Sequence, residues 1–190
     1  MKMKKLLTLM FLLIATTTFA QFTTTNPDTV CINTPGSVYQ VPPLGVGHVY
    51  TWTVASPGVI TSGQGTNQIN VNWSAAGPGL ITNAISVFAT SPSGCQSTPI
   101  NLNVFILQIV PTITALGPFC ATDGCVTLVG NPLGGTWSGT GVVGNQFCPT
   151  TSGAGSFPIT YTVTQNGCTF TATTTVIVNP IPTLSPIQHN

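Results

Sequence analysis

Apolar and polar residues alternate with a period of two in three stretches of the chain. Tyr50, Trp52 and Val54 are separated by Thr51 and Thr53, Ile69, Val71 and Trp73 by Asn70 and Asn72, and Ile159, Tyr161 and Val163 by Thr160 and Thr162. Successive side chains of a strand point to opposite faces, so each stretch predicts a strand with one face in a core and one in solvent. Pro57-Gly58, Ser62-Gly63, Ser93-Gly94 and Asn166-Gly167 punctuate these stretches as turns. Short, half-buried strands at this spacing predict an all-β chain built of antiparallel β-sandwiches.

The landmarks then occur twice in the same order. The first series runs from Cys31 through YTWTV (50–54), INVNW (69–73), AGPG (76–79) and SGC ending at Cys95 to the strand NLNVFI. The second runs from Cys120 through GTW ending at Trp137, GNQF ending at Phe147, SGAG (152–155) and NGC ending at Cys168 to TFTATTTVIV. A repeated order of landmarks predicts two tandem modules, residues 21–108 and 109–179, with the joint near Gln108 to Thr114. Residues 180–190, PIPTLSPIQHN, read as a Pro-rich linker or the start of a further repeat.

Composition changes the picture in two ways. Charged residues make up only 3% of the chain but hydrophobic ones 42%, so low charge here accompanies folding rather than disorder. The first twenty residues have Lys2, Lys4 and Lys5, an apolar run and small residues up to Ala20, the three parts of a secretory signal peptide. That run is too short to span a bilayer as a helix, and no later run is longer, so no membrane span is expected. No Cys directly follows Ala20, so no lipid anchor is expected. All the chain's Lys lie in that leader and there is no Arg, which leaves Asp28 and Asp123 and a formal charge of −2 beyond it. Without cations to neutralise phosphates, nucleic-acid binding and attachment to anionic membranes are excluded.

Modules of this size form marginal cores, and exported ones are commonly stapled by disulfides. All six cysteines, Cys31, Cys95, Cys120, Cys125, Cys148 and Cys168, are therefore expected to be paired. The repeat order points to Cys31 with Cys95 and Cys120 with Cys168, each tying the start of a module to the turn before its last strand. Cys125 and Cys148 would then form a further staple. The four cysteines of the second module allow three pairings, and spacing alone does not choose among them.

The stretch GPFCATDGCVTLVGNPLGGTWSGTGVVGNQFCPTTSGAGSFPITYTVTQNGCTFTATTTVIVNP resembles the immunoglobulin-like and PKD-like repeats of large surface proteins of Bacteroidota. The first module, with YTWTV, GTNQINVNW, AGPG and SGC, is similar to the PKD-like variant. The resemblance implies tandem immunoglobulin-like sandwiches in an array, export to the cell surface, and a non-enzymatic role as a spacer or adhesive stalk in adhesion or gliding. The partners it implies are neighbouring repeats or surface proteins and, as for adhesins, glycans. No C-terminal sorting domain follows the second module, and the chain stops where a further repeat would begin, so it is expected to be a segment of a longer array.

Candidate chemistry is thin. GTGVVG (139–144) has the G-x-G-x-x-G spacing of a dinucleotide-phosphate loop, but no helix-forming stretch or downstream acid follows it. Its glycines are expected in tight turns. Two Asp in different modules, His48 before a strand and His189 near the end of the chain offer no acid–base pair, no nucleophile elbow and no metal-ligand spacing. No catalytic residue, cofactor or metal is therefore assigned. Trp52 and Trp73 read as core residues; Trp137, after Gly134-Gly135, is the one candidate ligand platform. The polar face with Thr171, Thr173 and Thr175 suits an ice- or glycan-binding surface as well as an ordinary solvated strand. Asp28-Thr29-Val30 matches the Asp-Thr-aliphatic pattern of protein O-glycosylation in that phylum. The runner-up function is accordingly a carbohydrate-binding module. With so few charges to guard its edge strands, the chain is also expected to self-associate.

Overall fold

A computed structural model describes residues 27–187 and 189, so the expected signal peptide lies outside the described residues. The N-terminal half has seven strands: β1 (Asp28–Cys31), β2 (Ser37–Gln40), β3 (Val49–Val54), β4 (Val59–Ser62), β5 (Gln68–Asn72), β6 (Gly79–Thr90) and β7 (Ile100–Leu107). The C-terminal half has nine, most of them two or three residues long: β8 (Thr112–Ile113), β9 (Phe119–Cys120), β10 (Val126–Thr127), β11 (Gly130–Asn131), β12 (Thr136–Ser138), β13 (Val142–Val143), β14 (Gln146–Phe147), β15 (Gly155–Gln165) and β16 (Cys168–Asn179). One four-residue helical turn, α1 (Pro149–Ser152), precedes β15.

The two halves share one topology. The N-terminal sheets have the orders β1-β7-β6-β3 and β2-β5-β4; the C-terminal sheets have β9-β16-β15-β12 and β10-β14-β13, with β8 and β11 as an added pair. In both halves an early strand that ends in a cysteine runs parallel to the last strand, β1 along β7 and β9 along β16, while the long hairpins β6-β7 and β15-β16 are antiparallel. The fold is all-β and sandwich-like, as the alternation predicts.

Each half has its own core. Tyr50 and Trp52 of β3, with Val87, Val104 and Ile106 of the same sheet, meet Ile69 and Val71 of β5 and Trp73 just beyond it. In the second half Ile159, Val176 and Val178 meet Leu128 and Phe147. Asn83 interrupts the period of two in β6: its φ is 49°, and the register against β7 shifts between Ile81 and Ile85. Ala84 and Ile85 are consequently both buried although adjacent. The Asn83 N–H, which loses its ladder partner there, donates to Asn103 Oδ1 at 2.8 Å.

Edge protection is where the expectation of self-association meets a different arrangement. The exposed edge of β3 is covered by the segment after β4: Gln64 Nε2 donates to the Trp52 carbonyl at 2.9 Å, and Trp52 N–H donates to Gln64 Oε1 at 3.2 Å. One neutral side chain thus serves as a strand neighbour, and Gly65 extends the cover by exchanging two backbone bonds with Tyr50. The other edges of the two four-stranded sheets, β1, β9 and β12, are four, two and three residues long, and the edge strands of the smaller sheets have four residues or two. Short or covered edges offer little template to another chain, which replaces the missing charges.

Candidate functional site: the covalent joint and the exposed faces

Strand β7 ends at Leu107 and β8 begins at Thr112, so residues 108–111 alone connect the halves along the chain. A second connection is covalent. Cys31, at the end of β1, is bonded to Cys168, at the start of β16, with a Cα–Cα distance of 5.4 Å. Cys125 and Cys148 form the other disulfide, within the C-terminal half, and Cys95 and Cys120 are free and exposed.

This corrects the expected pairing of Cys31 with Cys95 and of Cys120 with Cys168. The reason is strand direction. Because β1 runs parallel to β7, Cys31 lies opposite Leu107 at the exit end of that strand, whereas Cys95 lies in the turn before its entry end. The twelve positions between Cys95 and Leu107 correspond to roughly 40 Å of extended chain, against about 7 Å for the widest bridgeable Cα pair. Likewise Cys120 pairs with Asn179 at the end of β16 while Cys168 begins it. The landmark order identifies equivalent cysteines but not the ends of the sheet on which they fall.

The remaining polar residues have structural partners. Asp28 Oδ2 accepts a 2.9 Å hydrogen bond from Tyr39 Oη, and that oxygen accepts one from Trp73 Nε1 at 3.2 Å. This chain ties β1 across the sandwich to β2 and to the core. Burial, reinforced by the Asp28 charge, pushes the Tyr39 phenol well above its ordinary value. Asp123 closes a turn, with its Oδ2 accepting from Cys120 N–H at 2.7 Å. His48 is half-buried before β3 and its Nδ1 has no hydrogen-bond partner. Among the described residues no three His, Cys, Asp or Glu side chains gather as metal ligands.

In GTGVVG the loop leads into the hairpin β13-β14, not into a helix. Gly139 and Gly141 have φ of 139° and 84°, and a Cβ on either would overlap the Pro158 carbonyl or the Phe147 ring. Close packing and turn geometry therefore account for these glycines, and phosphate binding is not needed to explain them.

Trp52 and Trp73 are buried. Trp137 is half-buried, its ring centred 4.4 Å from that of Tyr161, in a shallow depression with Leu128, Leu133 and Asn145. Tyr161 is itself fixed, donating to the Pro132 carbonyl at 2.6 Å and accepting from Gly135 N–H at 2.9 Å. On the other face of the sheet from Trp137 and Tyr161, β15 and β16 carry threonines in register: Thr160 opposite Thr173, Thr162 opposite Thr171 and Thr164 opposite Thr169. The hydroxyls of the first and last pairs lie 3.2 and 3.3 Å apart.

Residues 17–104 match the model of the PKD-like domain family. The N-terminal half is thus PKD-like in sequence, in keeping with its two-sheet architecture. No curated protein matches the chain. Among solved structures, the chain is similar to Drosophila OTK, extracellular domains 3-5, at 14% identity and a TM-score of 0.35, covering 80% of this chain and 59% of that one. It is also similar to the titin Ig tandem domains A164-A165, at 12% identity and a TM-score of 0.26, covering 82% of this chain and 94% of that one. Two disulfides in a chain of this kind suit an oxidising, extracellular environment. Among the described residues no helix is long and apolar enough to cross a membrane.

Proposed function

We propose that the chain is an exported, non-enzymatic spacer or adhesive stalk segment of a bacterial cell surface, made of two tandem immunoglobulin-like modules of which the first is PKD-like. The observation that carries this reading is the Cys31–Cys168 bond. Tension applied at the two ends of the folded region enters β1, crosses the sulfur–sulfur bond and leaves along β16. Nearly all the remaining fold lies within the loop of 137 positions closed by that bond and is bypassed. A spacer built this way holds its length even when its sheets are disturbed. The surface location and the part in adhesion or gliding rest on the resemblance to Bacteroidota surface repeats.

The free thiols supply the test. Nitroxide labels on Cys95 and Cys120 should give a narrow distance distribution by electron–electron resonance, and a broad one in the Cys31→Ser, Cys168→Ser variant. An equally broad distribution with the bond intact would contradict a rigid spacer. Surface exposure is tested by labelling Cys95 of the Cys120→Ser variant on intact cells with a membrane-impermeant maleimide.

Glycan binding is the second reading, favoured by the half-buried Trp137 ring in its shallow depression with Leu133 and Asn145. Saturable binding on a glycan array that is lost in Trp137→Ala would support it. Binding unaffected by that substitution would remove Trp137 from the site.

A further inference from the structure

The shared topology makes the four cysteines outside the Cys125–Cys148 bond two pairs of equivalents. Cys31 and Cys120 each end the strand that runs parallel to the last strand of its half. After each, the next residue's N–H donates to the end of that last strand, Ile32 to Leu107 at 2.9 Å and Ala121 to Asn179 at 3.0 Å. Three residues on, the chain turns back to the cysteine carbonyl, through Thr34 N–H at 3.2 Å and Asp123 N–H at 3.0 Å. Cys95 and Cys168 each follow a left-handed glycine in the hairpin between the two longest strands, Gly94 with φ 87° and Gly167 with φ 79°. The bonded pair takes one cysteine of each kind, the exit-end Cys31 and the hairpin Cys168. The unpaired pair is also one of each kind, the hairpin Cys95 and the exit-end Cys120, and both are exposed.

We propose that Cys120 of one copy of this chain bonds Cys95 of the next, repeating between copies the joint that Cys31 and Cys168 make within one. The occupant of each end is a second copy because the chain carries both complementary partners unbonded. Cys95 lies a strand length from the joint in its sheet, and so does Cys120 in the other. Asp123 is the one carboxylate beside Cys120, and the Cys95 turn carries no carboxylate to repel it. The Cys95 end presents Leu44 and Val46, and the segment beyond β16 presents Ile181 and Leu184, all exposed apolar groups that an end-to-end contact would cover.

The bond needs an oxidant. A low-molecular-weight disulfide such as oxidised glutathione supplies it: one thiolate attacks the glutathione disulfide and releases one glutathione. The partner thiolate then displaces the second, giving one protein disulfide and two reduced glutathiones for two protein thiols. In the resulting chain of copies the backbone from Cys95 to Cys120 carries load along β7 and residues 108–111, in parallel with the Cys31–Cys168 bond.

This inference deepens the spacer reading and rests on it, but the two fail separately, because the distance measurement above uses isolated, labelled chains. The test is to incubate full-length Cys95→Ser and Cys120→Ser chains, alone and mixed, with a glutathione redox couple, then separate them without reductant. The proposal expects wild type to form a ladder and each variant alone to stay at the mass of one chain. The mixture should form a species of twice that mass, from which mass spectrometry recovers a Cys95–Cys120 cross-linked peptide. Dimers of either variant alone in equal yield would overturn it as indiscriminate thiol coupling. A mixture that carries only glutathione adducts would overturn it as well.

Discussion

The two halves reach the same topology by different means. The N-terminal half has strands of four to twelve residues, a core with two buried Trp side chains, and no disulfide of its own. The C-terminal half has seven strands of only two or three residues and a smaller core around Phe147, and it holds the Cys125–Cys148 bond, which closes a 23-residue separation across β10 to β14. Where the sheet β10-β14-β13 is too short to bury much apolar surface, the covalent link restricts the unfolded chain instead. The comparison teaches that a shared strand order does not imply a shared source of stability.

Four variants probe that contrast. Trp73→Ala should cost the N-terminal half about 4 kcal/mol, since it empties a fully buried site between the sheets. Calorimetry should then show one transition lowered and the other kept; a uniform shift of both would mean that the cores are not independent. Replacing Cys125 and Cys148 together by Ala should destabilise the C-terminal half by about 3 kcal/mol in the chain-entropy model, with the N-terminal transition unmoved. Gly135→Ala should cost about 2 kcal/mol in that same half, because its Cβ would stand 2.5 Å from the Tyr161 ring and 2.6 Å from the Thr162 carbonyl. Chemical denaturation followed by tryptophan fluorescence reads that loss.

The smallest effect is Tyr39→Phe, about 1 kcal/mol from the hydrogen bonds to Asp28 and Trp73. It carries a pH signature. The folded phenol holds its proton to higher pH than the unfolded one, so its contribution is complete below the ordinary tyrosine value near 10 and is lost as pH rises above it. Wild type should therefore weaken above about pH 10 more steeply than Tyr39→Phe. Parallel denaturation curves of the two proteins from pH 8 to 11 would show that Tyr39 is not the group responsible.

Much of the fold was legible in the alternation. Tyr50, Trp52, Ile69, Val71, Ile159 and Tyr161 are all buried, as their period of two requires, and the glycines of GTGVVG sit in turns and tight contacts. Strand direction was not legible. Nothing in the spacing of Cys31, Cys95, Cys120 and Cys168 reveals that β1 and β9 run parallel to their partners, and that single fact decides which cysteines can meet. The cover on β3 was equally hidden, because Gln64 is an ordinary polar residue until the fold lays it along Trp52. Asp28 is a further case: its partner is Tyr39, eleven residues away across the sandwich.

On the proposed spacer reading the bond between the halves, not the sheets, sets the length of the molecule under load. Pulling single chains from both ends separates the alternatives. With both disulfides intact, the account predicts that the extension released on unfolding comes only from the short stretches outside the Cys31–Cys168 loop. In the Cys31→Ser, Cys168→Ser variant it predicts a further release of roughly 400 Å, the 137-position loop less the 23 positions still closed by the other bond. Equal extension of the two proteins would contradict it.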